Sequence, residues 1–392
     1  MKKLLPGILV LVFLVTITEY GCAPKPQAHL AKQAEEVDSL MNRAYKKGIR
    51  NFDSLRTVRK QLAEQYTAPI VLADLKGEEL LNAARLFKAL SKTDTVITLL
   101  EKFPGKDTST VAMDLLFNSY TEKSRLADAE KLVIEKLAAK NNDKAVSYFI
   151  NLYWGYLENG DMENGLRILD AGLAASPEAD RWQLELEKVD GLYDTGKTEE
   201  AMALLADLKK RFANDPKILR NVDPKSVQYG LIGKPAPDIT IDQWIDSKPL
   251  KISALKGKVV FLDFWATWCG PCRAMFPHLK KLYAEYHDQG LEIIGVTQYY
   301  GSFSQMGQRL RNLKPAQELV WVQKFKVHHE MPFPYGIGAG DAAKKNSSQY
   351  GVYGIPHMVL IDKKGKVRLF AVGSGKWSEE KLDKGVQALL AE

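Results

Sequence analysis

Two of the three cysteines in this chain of 392 residues are separated by only two residues, in Cys269-Gly270-Pro271-Cys272. A pair so spaced can exchange disulfides or form half of a metal site. In exchange the attacking form is the thiolate, and an unperturbed thiol with a pKa of about 8.5 is mostly protonated near neutral pH. Apolar residues at Met275, Leu279, Leu282 and Tyr286 continue from the pair at helical spacing. Cys269 therefore falls at a helix N-terminus, where unpaired N–H groups and the positive end of the dipole favour an anion. It is expected to be acidified, partly exposed and the nucleophile. Cys272, one turn further on, is expected to be more buried and to act as the resolving thiol. The spacer lets both sulfurs meet within disulfide geometry. A zinc site would need two further ligands, and no second Cys-x-x-Cys occurs. His328-His329-Glu330 is the one candidate for the missing half, but adjacent histidines point in different directions, so no metal and no cofactor is expected.

The pair must be held by a strand and a helix. Val259-Val260-Phe261-Leu262-Asp263-Phe264-Trp265 reads as a buried central strand, and Leu291-Glu292-Ile293-Ile294-Gly295-Val296 as a second. Strand, turn with the cysteine pair, helix and strand make a βαβ unit. Residues 228–392 hold 22 Lys and Arg against 15 Asp and Glu, whereas residues 1–227 hold 33 of each. The net charge of +7 thus belongs to the cysteine-bearing part, either as a mild positive field around a reactive thiol or as an ordinary solvated surface. No dense basic run with interleaved aromatics is present, which argues against a nucleic-acid partner.

Trp268-Cys269-Gly270-Pro271-Cys272 is the active-site sequence of the thioredoxins, and the preceding Asp263-Phe264-Trp265-Ala266-Thr267 matches as well. Tyr350-Gly351-Val352-Tyr353-Gly354-Ile355-Pro356, Met358-Val359-Leu360-Ile361-Asp362 and Gly365-Lys366-Val367 resemble the second half of that fold. The lead-in Gly233-Lys234-Pro235-Ala236-Pro237-Asp238 and the long segment before Pro356 are similar to the membrane-tethered TlpA/ResA subgroup. The resemblance covers 228–392 and implies an α/β thioredoxin-fold domain, a central mixed sheet flanked by helices. It implies that Pro356 is cis, lies against the cysteines and follows backbone that pairs with an extended client. It makes Trp268, Gly270 and Pro271 supports of the active site. It also makes Asp263 a buried acid below Cys272, a proton acceptor with a raised pKa, or else a passive buried carboxyl. Gly-Pro between the cysteines resembles the reducing members. The chain departs from the subgroup at Met275-Phe276, where an acid is common, and at His357, where Thr is common. It departs again in the long stretch from Tyr299 to Ser348, which is expected to shape the surface around Cys269.

Residues 23–227 form a separate expected domain, an all-α one. Phe87, Ser91, Val96, Leu100 and Phe103 set a spacing that recurs as Tyr120, Ser124, Ala129 and Val133. It returns as Tyr156, Gly160, Gly165, Leu169 and Gly172, then as Leu192, Gly196, Ala201, Leu205 and Leu208. The turn positions Ser91, Ser124, Gly160 and Gly196 are 33, 36 and 36 residues apart. The pattern resembles the tetratricopeptide repeat, whose stacked helix pairs leave a concave binding face; an irregular helical domain without a groove is the competing reading.

At the start, Lys2 and Lys3 precede an apolar run from Leu4 to Ile17 and then Gly21-Cys22. The run is too short for a membrane span and resembles a bacterial lipoprotein signal over residues 1–22, with Cys22 as the lipidated residue. Glu19 and Tyr20 depart from that pattern, and an uncleaved anchor or simple secretory signal is the alternative. The expectation is a lipid-anchored, periplasm-facing thiol–disulfide oxidoreductase of the cell envelope. It would act on disulfide-containing client proteins and be recharged by a membrane electron donor. The competing function is a lipid-anchored repeat binding protein with a redox-sensing or vestigial thioredoxin domain. A thiol peroxidase fits poorly, because Thr267 precedes Cys269 by two residues rather than three and Asp263 stands where a proline is needed.

Overall fold

The computed structural model describes residues 29–47, 52–137 and 144–392. The signal-like segment and Cys22 lie outside the described residues. The chain divides into two compact units, Met1–Leu137 and Ala138–Glu392.

The first unit is helical: α1 (Leu30–Lys46), α2 (Phe52–Thr67), α3 (Glu78–Ala89), α4 (Thr93–Lys102), α5 (Thr110–Glu122) and α6 (Leu126–Leu132). The second opens with α7 (Ala145–Glu158), α8 (Met162–Ala175), α9 (Trp182–Asp194), α10 (Thr198–Arg211) and α11 (Pro216–Leu231). Within the units, α3 packs on α4, α5 on α6, α7 on α8 and α9 on α10. The residue turning each pair is one that the spacing singles out. Ser91, Ser124, Gly160 and Gly196 all have positive φ, from 54° to 80°. That conformation suits glycine and is tolerated by short polar side chains. Small residues on α8 admit large ones on α7. A Cβ on Gly165 would lie 2.8 Å from Leu157 and 3.2 Å from Tyr153. The bulky Tyr153 is accommodated by that glycine.

Helix α11 is started by Asp215, whose carboxylate accepts from the N–H groups of Lys217 and Ile218, with Pro216 in its first turn. It runs through Pro224 to Leu231. The sheet follows within the same compact unit.

The C-terminal part is an α/β layer structure, as expected. Its strands are β1 (Gln243–Ile245), β2 (Val259–Phe264), β3 (Leu291–Gln298), β4 (Ser302–Phe303), β5 (Leu310–Arg311), β6 (Tyr335–Gly338), β7 (His357–Ile361) and β8 (Val367–Val372). Its helices are α12 (Gly270–Tyr286), α13 (Pro315–His328), α14 (Gly340–Gln349) and α15 (Lys376–Ala391). Six strands form one mixed sheet in the order β1-β6-β3-β2-β7-β8, and β4 with β5 makes a separate hairpin. Strands β2 and β3 run parallel, as do β3 and β6, while β7 lies antiparallel to β2.

All six residues of β2 are buried, and its period of two divides them between the faces. Val259, Phe261 and Trp265 join a core with Cys272, Met275, Phe276 and Leu279 of α12. Val260, Leu262 and Phe264 join the opposite core with Tyr350, Val359 and Phe370. Met275 and Phe276, where an acid is common in the subgroup, are therefore core residues. The long stretch after Tyr299 is only partly surface. Its Tyr335-Gly336-Ile337-Gly338 is a fully buried strand between β3 and β1. Its glycines hide it from a reading based on β-branched runs, yet they are needed: a Cβ on Gly336 would lie 2.8 Å from Ile241.

Candidate active site

Strand β2 delivers the chain to Trp265, a short turn follows, and α12 begins at Gly270. Cys269 is the N-cap of α12, in an extended conformation, and Pro271 stands in the first turn, where its missing N–H costs nothing. Cys269 and Cys272 form a disulfide with their Cα atoms 5.3 Å apart. The backbone N–H of Cys272 points at the Cys269 Sγ, 3.1 Å away. An orphan donor of the first helical turn is thus already directed at the atom that would carry negative charge after reduction.

Across the pair lies the Ile355–Pro356 peptide, which is cis. The Ile355 carbonyl oxygen is 3.7 Å from the Cys269 Sγ. Cys269 is 3% exposed and Cys272 1%. The order of exposure is the expected one, but the expectation of a partly exposed Cys269 is not met. In the disulfide form its sulfur is turned inward between the first turn of α12 and the Ile355 carbonyl. Trp268 is the exposed member of the motif, at 48%. Its indole meets the ring of Tyr300 edge to face at 5.4 Å, which places the start of the 299–348 stretch beside the cysteines. Arg273 fastens the turn by donating from Nη1 to the Thr267 carbonyl at 2.9 Å.

Asp263 is buried on the face of β2 that α12 covers. Its Oδ1 has no hydrogen-bond partner. Burial pushes its carboxyl up from 3.8 to about 7. In the sheet Asp263 stands beside Gly295 of β3, and Gly295 beside Tyr335 of β6. The glycine leaves room for the rings above it. A Cβ there would be 2.6 Å from Tyr335 and 2.9 Å from the Trp265 Nε1. The Tyr335 hydroxyl and the Trp265 Nε1 are likewise buried without partners. Burial and the nearby Asp263 carboxyl both hold the Tyr335 hydroxyl protonated. The acid thus lies in an aromatic part of the core, on the sheet face that α12 covers, with two other polar groups that lack partners. Sequence reading found Asp263 through its place in the motif and missed Tyr335, since nothing local marks a tyrosine in a Gly-Pro-rich stretch.

The loop that carries Pro356 is held from several sides. Tyr350 is buried and its hydroxyl donates to the Pro237 carbonyl. Gln228 of α11 donates from Nε2 to the Gly351 carbonyl at 2.7 Å. His357, directly after the cis-proline, is fully buried between Phe264 and Phe370, with ring centroids 5.7 and 5.6 Å away. Burial holds it neutral, with its pKa lowered to about 3. His328 ends α13, and His329, just past it, packs on Phe276 and Phe325.

Residues 231–386 match the family model described as Redoxin. Over 136 residues the chain is 34% identical to the thiol-disulfide oxidoreductase ResA of Bacillus thuringiensis subsp. konkukian (strain 97-27), covering 35% of this chain and 66% of that protein. The chain therefore spans just under two thirds of the length of the first curated relatives it matches. It is 32% identical over 143 residues to the ResA of Geobacillus thermodenitrificans (strain NG80-2), covering 36% of this chain and 70% of the relative. The thioredoxin domain of a thiol-disulfide oxidoreductase from Bacteroides vulgatus aligns with 25% identity and a TM-score of 0.32, covering 40% of this chain and 97% of that one. Through its C-terminal domain, the chain belongs to the ResA family of thiol-disulfide oxidoreductases.

Proposed function

We propose that this protein reduces disulfides in client proteins by dithiol exchange. The observation that carries the reading is the Cys269–Cys272 disulfide capping α12 and facing the Ile355–Pro356 backbone. In the reduced protein the Cys269 thiolate attacks one sulfur of a client disulfide, and the other client sulfur leaves as a thiolate. The client segment lies along the backbone preceding Pro356, while Trp268, Gly270 and Pro271 shape the turn that presents Cys269. Asp263 accepts the proton of Cys272, a transfer favoured by a carboxyl that titrates near neutral pH. The Cys272 thiolate then attacks Cys269 Sγ and the second client thiolate leaves. Two electrons have passed to the client, and the protein is left in the disulfide form described above.

The same reading places the protein in the cell envelope, facing the periplasm, with Cys22 lipidated after removal of a signal segment. Among the described residues no helix is long and apolar enough to cross a membrane. A lipid anchor would hold the domains in water beside a membrane electron donor, which an exported reductase requires. Within each unit the paired helices turn at residues of positive φ, Ser91 and Ser124 in the first and Gly160 and Gly196 in the second, which supports tetratricopeptide-like repeats that bind partners.

Exchange is tested with Cys272→Ser. That variant should accumulate a covalent complex with client through Cys269, releasable by a small thiol, while Cys269→Ser should accumulate none. Complex formed equally by both variants would refute the assignment. Direction is tested by the reduction potential of the pair: roughly −270 mV marks a reductase, whereas roughly −120 mV marks a disulfide donor and would reverse the proposal.

A further inference from the structure

The backbone that would meet a client is not shaped by the sheet domain alone. The loop from Tyr350 to Pro356 connects α14 to β7, and its outer side rests on α11. Gly351 has φ +62°, and a Cβ there would fall on the Pro224 carbonyl, so helix and loop meet backbone to backbone. At that point of contact the Gln228 amide donates to the Gly351 carbonyl at 2.7 Å, with Gln228 only 3% exposed. One turn earlier on α11, the Lys225 ammonium sits 5.5 Å from the centroid of the Tyr353 ring, three residues before the cis-proline.

Lys225 is itself buried, at 4% exposure, and is paired with Asp190 of α9, which also accepts from the Tyr229 hydroxyl. Burying an ammonium and a carboxylate is costly, and an apolar pair of the same volume would hold two helices together at least as well. What the ion pair adds is a fixed cation under an aromatic ring of the client loop. The same helical layer grips the sheet domain again at α15, where Lys381 pairs with Asp194 at 2.7 Å and the Lys376 N–H donates to Glu158 at 2.7 Å. Helices α7 to α11 and the sheet therefore present the loop as one body.

Resting on the proposed reductase function, we propose that α11 belongs to the client-binding apparatus: Gln228 and Lys225 are positioning residues that hold the Gly351–Ile355 backbone in the shape a client strand pairs with. Neither residue touches the sulfurs. Their loss should therefore weaken client binding and leave the exchange step largely intact.

The test uses the full chain and a synthetic peptide with one disulfide in an extended segment. Gln228→Met keeps the volume and removes the donor. The variant Lys225→Met/Asp190→Asn/Glu187→Gln removes the pair together with the buried Glu187 carboxyl beside it, so that no unpaired ion is left buried. In each, KM for the peptide should rise about tenfold, as expected for one buried hydrogen bond, with kcat changing less than about twofold. Amide hydrogen exchange should quicken in 350–356 and nowhere else in the sheet domain. Unchanged KM, unchanged exchange in the loop, or a fall in kcat at wild-type KM would each overturn the inference. Turnover by the unmodified chain separates this outcome from the larger one. If the unmodified chain fails to reduce the peptide, the proposed function falls as well, whereas a working parent with indifferent variants refutes only the role of α11.

Discussion

Asp263→Asn should stabilise the oxidised protein at neutral and alkaline pH while impairing its turnover. In the unfolded chain the carboxyl gives up its proton near 3.8, but in the folded protein burial holds it until about 7. Between those values the folded state binds more protons than the unfolded one, so stability falls as pH rises. Below 3.8 both states are protonated and the residue carries no penalty; above 7 both are ionised and the penalty is complete. Three pKa units at about 1.4 kcal/mol each set a ceiling of about 4 kcal/mol. No hydrogen bond to Oδ1 and no neighbouring cation offsets the cost, which is why the whole shift traces to burial. Asparagine has the same shape and does not ionise. Its advantage over the parent should be small at pH 4, grow through pH 5 to 7 and level off above that. Because the chain has two compact units, a single melting curve would mix their transitions. Hydrogen exchange at the β2 amides, compared between parent and variant at each pH, isolates the relevant core. The same variant should slow the resolving step by on the order of 10²-fold, since an amide cannot take the Cys272 proton. A stability difference that does not change with pH, or a variant weaker than its parent at pH 8, would refute the account of Asp263 as an unpaired buried acid.

Two other substitutions probe the walls of the site. Gly295→Ala puts a methyl 2.6 Å from the Tyr335 ring and 2.9 Å from the Trp265 Nε1, and should cost about 1–3 kcal/mol, read as earlier denaturant unfolding of the sheet domain. A neutral result would mean that the two rings can shift freely. His357→Leu should flatten the acid side of the stability curve. The parent, whose histidine pKa is lowered from 6.5 to about 3, loses stability as pH falls through that window, and the leucine variant does not. Acid unfolding at the same pH in both proteins would show that His357 is not what limits the fold there.

What could be read from the sequence, and what could not, separates by the range of the interaction involved. The cysteine pair, its N-cap position and the β2–α12–β3 unit are local matters of spacing and period, and they are found as expected. The turn positions Ser91, Ser124, Gly160 and Gly196 were legible for the same reason, each being set by the handful of residues around it. Strand β6 was hidden because Gly336 and Gly338 are chosen by what packs against them, Ile241 and Ala343, and not by strand propensity. Tyr335 gains its meaning only when parallel pairing brings Asp263, Gly295 and Tyr335 into one row across three strands. Gln228 lies 123 residues from its partner Gly351, and its neighbourhood on α11 reads as an ordinary polar helix. The motif thus identified the cysteine pair, while the groups around Asp263 and the Gly351–Ile355 loop come from sheet register and helix docking. A loop held at Gly351 by a helix 123 residues earlier in the chain is a product of docking, which no local pattern of residues announces.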